Sequence, residues 1–267
     1  MTVNPRFQRL ALLTGLDAIE ALSRTRVIVF GIGGVGGWCA EALVRSGVGQ
    51  LDIVDSDTVC VTNINRQIQA TSETVGLFKT RVLKKRLLEI NPQCRVRDFG
   101  KVFSRESAAC FDIPQADYVI DAIDSLTHKL DLIELASGTD AALFSSMGMA
   151  QKLDPTKLKT AGIWETRGCP LARLVRQGLR KRGFTGNFTA VYSDEQLPLR
   201  EEISVACGKG HCLCPARQFC AATAVEWCST KKVINGSAVT VTAAAGFILA
   251  SLVVRSVCAR FGVGDIP

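Results

Sequence analysis

Short apolar runs alternate with amphipathic stretches through the first half of the chain, and that alternation predicts strands and helices in turn. A β-branched run at 27–30 ends in a glycine loop at 31–37, followed by a helix through 40–45 that Gly47 closes. A second strand at 51–54 ends at Asp55. Over 77–90, Leu83, Leu87 and Ile90 recur at helical spacing beside Lys79, Lys84, Lys85 and Arg86, and Asn91-Pro92 stops the helix. Further strands read at 119–122 and 143–145, with a helix at 126–136 between them. Repeated strand–helix alternation predicts an α/β fold: a Rossmann-like, doubly wound, mostly parallel sheet with helices on both faces.

The second half is less regular. A helix reads over 171–182, with Leu171, Leu174, Val175 and Leu179 on one side. Arg173, Arg176 and Arg180 form its basic face, a candidate contact for the phosphates of a nucleic acid. From Gly236 through Val254 no residue is charged, and the run is nearly long enough to cross a bilayer. Its small and hydroxyl-bearing residues and its β-branched segment at 239–242 favour a buried strand–helix pair, so membrane contact is disfavoured.

With 267 residues and 47% hydrophobic content the chain can bury a full core, and one domain over 1–267 is expected. An irregular Cys-rich insertion interrupts it around 205–232. A net charge of +7 suits a polyanionic partner but does not select one. Eleven cysteines without an apolar leader segment read as reduced thiols in a cytoplasmic protein. Cys207, Cys212, Cys214 and Cys220, with His211 among them, lack paired Cys-x2-Cys spacing, which disfavours Zn²⁺. A thioester-forming nucleophile is the other reading of these thiols, with His211 as the nearest available base.

Chemistry concentrates in the first half. Gly31, Gly33, Gly34 and Gly36 lie between a strand and a helix, where backbone N–H groups can approach phosphates. Asp55 ends the next strand and can accept hydrogen bonds from a ribose. On these residues alone, an NAD-dependent oxidoreductase is the favoured reading.

The residues that follow shift the balance toward a nucleoside triphosphate. Asp57, Asn63, Arg66 and Lys79 come soon after the ribose carboxylate. Departing pyrophosphate needs such charge neutralisation, with Arg66 as a planar donor and Lys79 as a point charge. Asn63 can orient a phosphate oxygen or a reacting carboxylate. Asp124, after the strand at 119–122, suits Mg²⁺; the alternative is that it caps the following helix.

Together, the glycine loop, Asp55-Ser56-Asp57, Asn63 with Asn65-Arg66-Gln67, Gly76 with Lys79, and Asp121-Ala122-Ile123-Asp124 resemble the adenylation motifs of ubiquitin-activating-type (ThiF/MoeB/HesA-like) enzymes. The resemblance implies ATP as cosubstrate, ribose on Asp55, phosphates on Asn63, Arg66 and Lys79, and Mg²⁺ on Asp124. Arg6-Phe7-Gln8-Arg9 looks like the segment through which such enzymes donate an arginine, here Arg9, across a homodimer. Ser145 to Met149, Leu153-Asp154-Pro155-Thr156, Pro170-Leu171-Ala172 and Ala190 to Ser193 resemble the tRNA threonylcarbamoyladenosine dehydratases. That family implies a tRNA substrate, adenylation of a threonyl carboxylate, and a sulfur-transfer protein as a further partner. The alternatives are an adenylyltransferase for a ubiquitin-like sulfur carrier and a non-catalytic pseudoenzyme. Intact Arg66, Lys79 and Asp124 argue against the latter.

Overall fold

The computed structural model describes residues 4–197 and 235–263. Two short helices, α1 (Gln8–Thr14) and α2 (Leu16–Arg24), lead into strand β1 (Arg26–Phe30). Then come α3 (Gly36–Arg45), β2 (Gln50–Val54), α4 (Lys79–Ile90), β3 (Arg95–Phe99), β4 (Tyr118–Asp121) and α5 (Leu126–Ser137). The chain continues through β5 (Ala142–Ser146), β6 (Leu158–Gly162), α6 (Pro170–Lys181), β7 (Thr189–Ser193) and α7 (Val239–Ala259).

The described strands form one sheet in the order β3-β2-β1-β4-β5-β7-β6. All neighbours run parallel except β6, which is antiparallel to β7. Connections leave β1 and β4 in opposite directions, so the crevice between their carboxyl ends is the topological switch point where open α/β sheets bind ligands.

Alternation along β1 divides the core. Val27 and Val29 pack with α3, α4 and α7, whereas Ile28 and Phe30 pack with α5 and α6 on the other face. Every residue of β1 is buried because helices cover both faces of a parallel sheet. Each such apolar side chain contributes about 1.5–3 kcal/mol relative to exposure.

The doubly wound sheet is as expected, but several boundaries differ. Residues 239–242 are not a strand; they form the first turn of α7, where the Thr242 N–H donates to the Ala238 carbonyl at 3.1 Å. β-Branching is a weak preference, and packing on α3 overrides it. At Gly246 the two helices come so close that a Cβ would lie 2.5 Å from the Val35 carbonyl oxygen. Most of the uncharged run therefore lies in α7, a core helix with eleven buried residues. Helix α4 starts at Lys79 rather than 77, because Phe78 pairs with Thr58 in an isolated antiparallel bridge. Helix α3 reaches back to Gly36.

Hydropathy does not reveal β3, whose Arg95, Arg97 and Asp98 break the apolar run, nor the largely solvent-facing edge strand β6. The six described cysteines, Cys39, Cys60, Cys94, Cys110, Cys169 and Cys258, are all free thiols. The insertion around 205–232, with Cys207, Cys212, Cys214, Cys220 and both readings of them, lies outside the described residues.

Candidate active site

The loop after β1 requires glycine at two points. Gly31 has φ +81°, and a Cβ there would lie 2.7 Å from the Ala122 carbonyl oxygen in the loop after β4. A Cβ on Gly36 would sit 1.9 Å from the Gly31 oxygen. These close approaches place the start of α3, with the N–H groups of its first turn, at the switch point. Gln69 braces the loop from behind, donating to the Ile32 carbonyl at 2.6 Å.

Asp55 follows the last residue of β2 and closes the adjoining edge. Its carboxylate accepts the Ile32 N–H at 3.0 Å and the Asp57 N–H at 2.8 Å. Burial pushes this carboxyl above the ordinary range, against the pull of Lys79.

Lys79 opens α4 and is buried, with Nζ 2.7 Å from Asp57 Oδ2 and 3.9 Å from Asp55 Oδ1. Burial alone would lower its pKa, but Asp55, Asp57 and Asp124 together hold the ammonium above its ordinary value. It therefore stays charged at neutral pH.

Arg66 lies on the crossover between β2 and α4. Its guanidinium donates to the Thr62 carbonyl at 2.8 Å and to Asn65 Oδ1 at 2.9 Å. Burial lowers its pKa, while Cys60 and the Asp124 carboxylate oppose that shift. Asn63 is buried, and its Oδ1 accepts the Cys60 N–H at 3.0 Å. The oxygen is thus committed to the backbone, and the amide N–H₂ is the part suited to a ligand. Asp124 sits exposed in the β4–α5 loop and acts electrostatically on both Arg66 and Lys79. The helix cap is Ser125, one residue later, so Asp124 is not the N-cap of α5.

The structure thus brings Gly31, Gly33, Gly34, Gly36, Asp55, Asp57, Asn63, Arg66, Lys79 and Asp124 to one sheet edge. Arg9 is not among them. Its segment is anchored at the opposite edge, where Phe7 packs under Gly47 and Asn4 donates to Gln93 at 2.9 Å. Within its own chain Arg9 is remote from the crevice.

On α6, Arg173 is exposed, and among the described residues it alone of the three basic candidates has no side-chain contact. Arg176 donates to the Thr166 carbonyl at 2.8 Å, and the Arg180 guanidinium lies 5.4 Å from the centre of the Trp164 ring. The periodicity that suggests a basic face cannot show these partners, which precede the helix.

Two contributions were not legible beforehand. Thr242, in the first turn of α7, packs against Gly34, with its Cβ 3.3 Å from where a Gly34 Cβ would be. The fully buried Lys129 lies beneath the Asp124 loop.

Sequence comparison decides the family, since the ThiF family model matches residues 7–262. The chain belongs to the ThiF family. A tRNA threonylcarbamoyladenosine dehydratase of Bacillus subtilis is 41% identical over 199 residues, which is 74% of this chain and 78% of the relative. One of Escherichia coli is 34% identical over 264 residues, covering 96% of this chain and 94% of the relative. The crystal structure of the E. coli enzyme, TcdA, in complex with AMP superposes with a TM-score of 0.81 at 30% identity, covering 98% of this chain and 99% of that one. The same enzyme has been crystallised with ATP. Family and fold agree with the resemblance read from the motifs.

Proposed function

We propose that this chain is an ATP-dependent tRNA threonylcarbamoyladenosine dehydratase that works by carboxylate adenylation. The observation that carries this reading is the convergence of the glycine loop, Asp55, Arg66, Lys79 and Asp124 on one sheet edge, in a chain that aligns end to end with a dehydratase crystallised with ATP and AMP.

The free carboxylate of the threonyl group is a poor electrophile. Attack of its oxygen on the α-phosphorus of ATP makes an acyl-adenylate and releases pyrophosphate. The neighbouring carbamoyl group then attacks the activated carbonyl carbon, AMP leaves, and a proton is lost. The net change in the nucleoside is loss of one water. Asp55 would hold the ribose, and the glycine loop and α3 N-terminus the phosphates. Lys79 and Arg66 would stabilise charge as pyrophosphate departs. Nucleophile and electrophile share one side chain, so the second step needs orientation more than acid–base help.

The residues fit Mg²⁺ carried by the nucleotide. Among the described residues no group of three or more His, Cys, Asp or Glu could hold an ion unaided. Mg²⁺ bound with ATP needs only one or two carboxylates alongside phosphate oxygens and water, and Asp124 supplies a hard oxygen donor at the strand edge. When bound, the ion would neutralise charge on the leaving pyrophosphate.

Arg173 is the best placed of the α6 arginines to meet tRNA phosphates. Arg9, remote from its own site, would complete that of a second copy in a homodimer. A sulfur-transfer protein partner and a cytoplasmic location accord with the family.

The test is mass spectrometry of nucleosides from tRNA bearing threonylcarbamoyladenosine, after incubation with the protein, ATP and Mg²⁺. ATP-dependent loss of one water is expected. Unchanged nucleoside, with pyrophosphate exchange appearing only when a Gly-Gly-ended carrier protein is added, would reassign the enzyme to carrier activation.

A further inference from the structure

Lys129 is fully buried, in the second turn of α5, where an ammonium is costly unless its protons are satisfied. All three find acceptors. Nζ donates to Asp121 Oδ2 at 2.6 Å, to the Ser146 carbonyl at 3.0 Å and to Ser145 Oγ at 3.3 Å. Asp121, the last residue of β4, is also fully buried. Its Oδ2 accepts the Ser145 hydroxyl at 2.6 Å, and its Oδ1 accepts the Ile123 N–H at 3.1 Å.

One carboxylate thus grips the segment carrying Asp124 from both sides: Ile123 precedes it, and Lys129 lies in the helix that follows. The grip extends to the carboxyl end of β5 through Ser145 and Ser146, and the loop is pinned to β1 where the Ala122 N–H donates to the Phe30 carbonyl at 2.8 Å. Lys129 has no surface open to solvent, so it reaches neither nucleotide nor RNA except through this loop. Apolar side chains of similar volume commonly replace a buried ion pair without loss of stability, which leaves placement of a neighbouring group as the use that fits this position.

We propose that Lys129 and Asp121 are positioning residues that fix Asp124 opposite Arg66 and Lys79 for adenylation. The proposal rests on the role of Asp124 given above.

The test uses the full-length double variant D121N/K129M, which removes both charges together and so avoids stranding one of them. Its thermal unfolding, its ATP affinity with Mg²⁺ and with EDTA, and its AMP formation are compared with the wild type. A melting temperature near wild type and unchanged ATP affinity in EDTA are expected. The gain in affinity that Mg²⁺ gives the wild type should be lost, and kcat should fall about tenfold or more, as a misplaced group allows. In an Asp124→Asn background the double change should have little further effect, since groups acting as a unit are not additive.

Wild-type kcat and an intact Mg²⁺ gain in the folded double variant would overturn the proposal, as would the same fold-loss in both backgrounds. If Asp124→Asn alone turned over normally, the role of Asp124 itself would fail. Should D121N/K129M not fold, Ser145→Ala removes one hydroxyl and keeps both charges. It should lower kcat and the Mg²⁺ gain in the same direction by about two- to fivefold, and no change in either would overturn the proposal.

Discussion

Gly31 and Ala122 meet at the switch point, where a Cβ on the glycine would stand 2.7 Å from the alanine carbonyl oxygen. Two loops from neighbouring strands are thereby locked together, one carrying the glycine-loop N–H groups and the other Asp124.

Gly31→Ala should therefore damage fold and site together. Strain at φ +81° and the clash with backbone are expected to cost about 2–4 kcal/mol. Gly33→Ala is the contrast, since its Cβ would find nothing nearer than Gln67 Nε2 at 3.8 Å. Calorimetric melting should separate them: Gly31→Ala melts several degrees lower, whereas Gly33→Ala melts normally but binds ATP weakly. Equal melting temperatures would refute the lock.

Lys79→Ala should reduce AMP formation by about 10²–10³-fold, the scale of losing one transition-state charge partner. Its fold should survive, because α4 remains seated through buried Leu83 and Leu87. Lys79→Arg should not restore activity, since the buried ammonium meets Asp57 at 2.7 Å as a compact point charge, and a planar fork does not reproduce that contact. Pyrophosphate exchange and circular dichroism on both variants measure this, and near-normal exchange in either would move the phosphate site elsewhere.

Glu41 of α3 reaches α4 through Arg86, 2.5 Å away, and pairs within its own helix with Arg45 at 2.8 Å. Burial works to raise this carboxyl, but the two arginines override it and hold it below its ordinary value. A depressed carboxylate contributes stability that is present above the unfolded pKa of about 4.3 and is lost as pH falls through the lower folded value. Melting temperatures measured from pH 7 down to pH 3 should thus fall more steeply for wild type than for Glu41→Gln. Parallel curves would show that the pair contributes nothing.

If Arg9 completes a partner's site, two inactive variants should rescue each other. Mixing Arg9→Ala with Lys79→Ala, after subunit exchange, gives heterodimers in which one of two sites has every residue, and about a quarter of wild-type activity should return. A mixture that stays inactive while exchange is verified by mass would end the idea of a donated arginine.

Local pattern made the candidate nucleotide site legible. The β-branched run before Gly31, the glycine spacing, and a carboxylate at the end of the next strand are short-range features, and the backbone responds to them directly. The same holds for α4 and α6, whose periodicity lies within each helix. What surrounds those elements depends on residues distant in sequence. Val239 to Thr242 reads as a strand by β-branching, yet forms a helical turn because Gly246 lets α7 press onto α3 and seats Thr242 against the glycine loop. Arg176 and Arg180 look like a free basic face until Thr166 and Trp164 come to meet them. Lys129 is one charged residue among several in its helix, and only the arrival of Asp121, Ser145 and Ser146 from two strands makes it a buried junction. Hydropathy reports how one element divides between core and solvent. Which groups meet across elements is decided by packing, and there the tertiary structure determined the surroundings of a candidate site whose residues could be named from the chain.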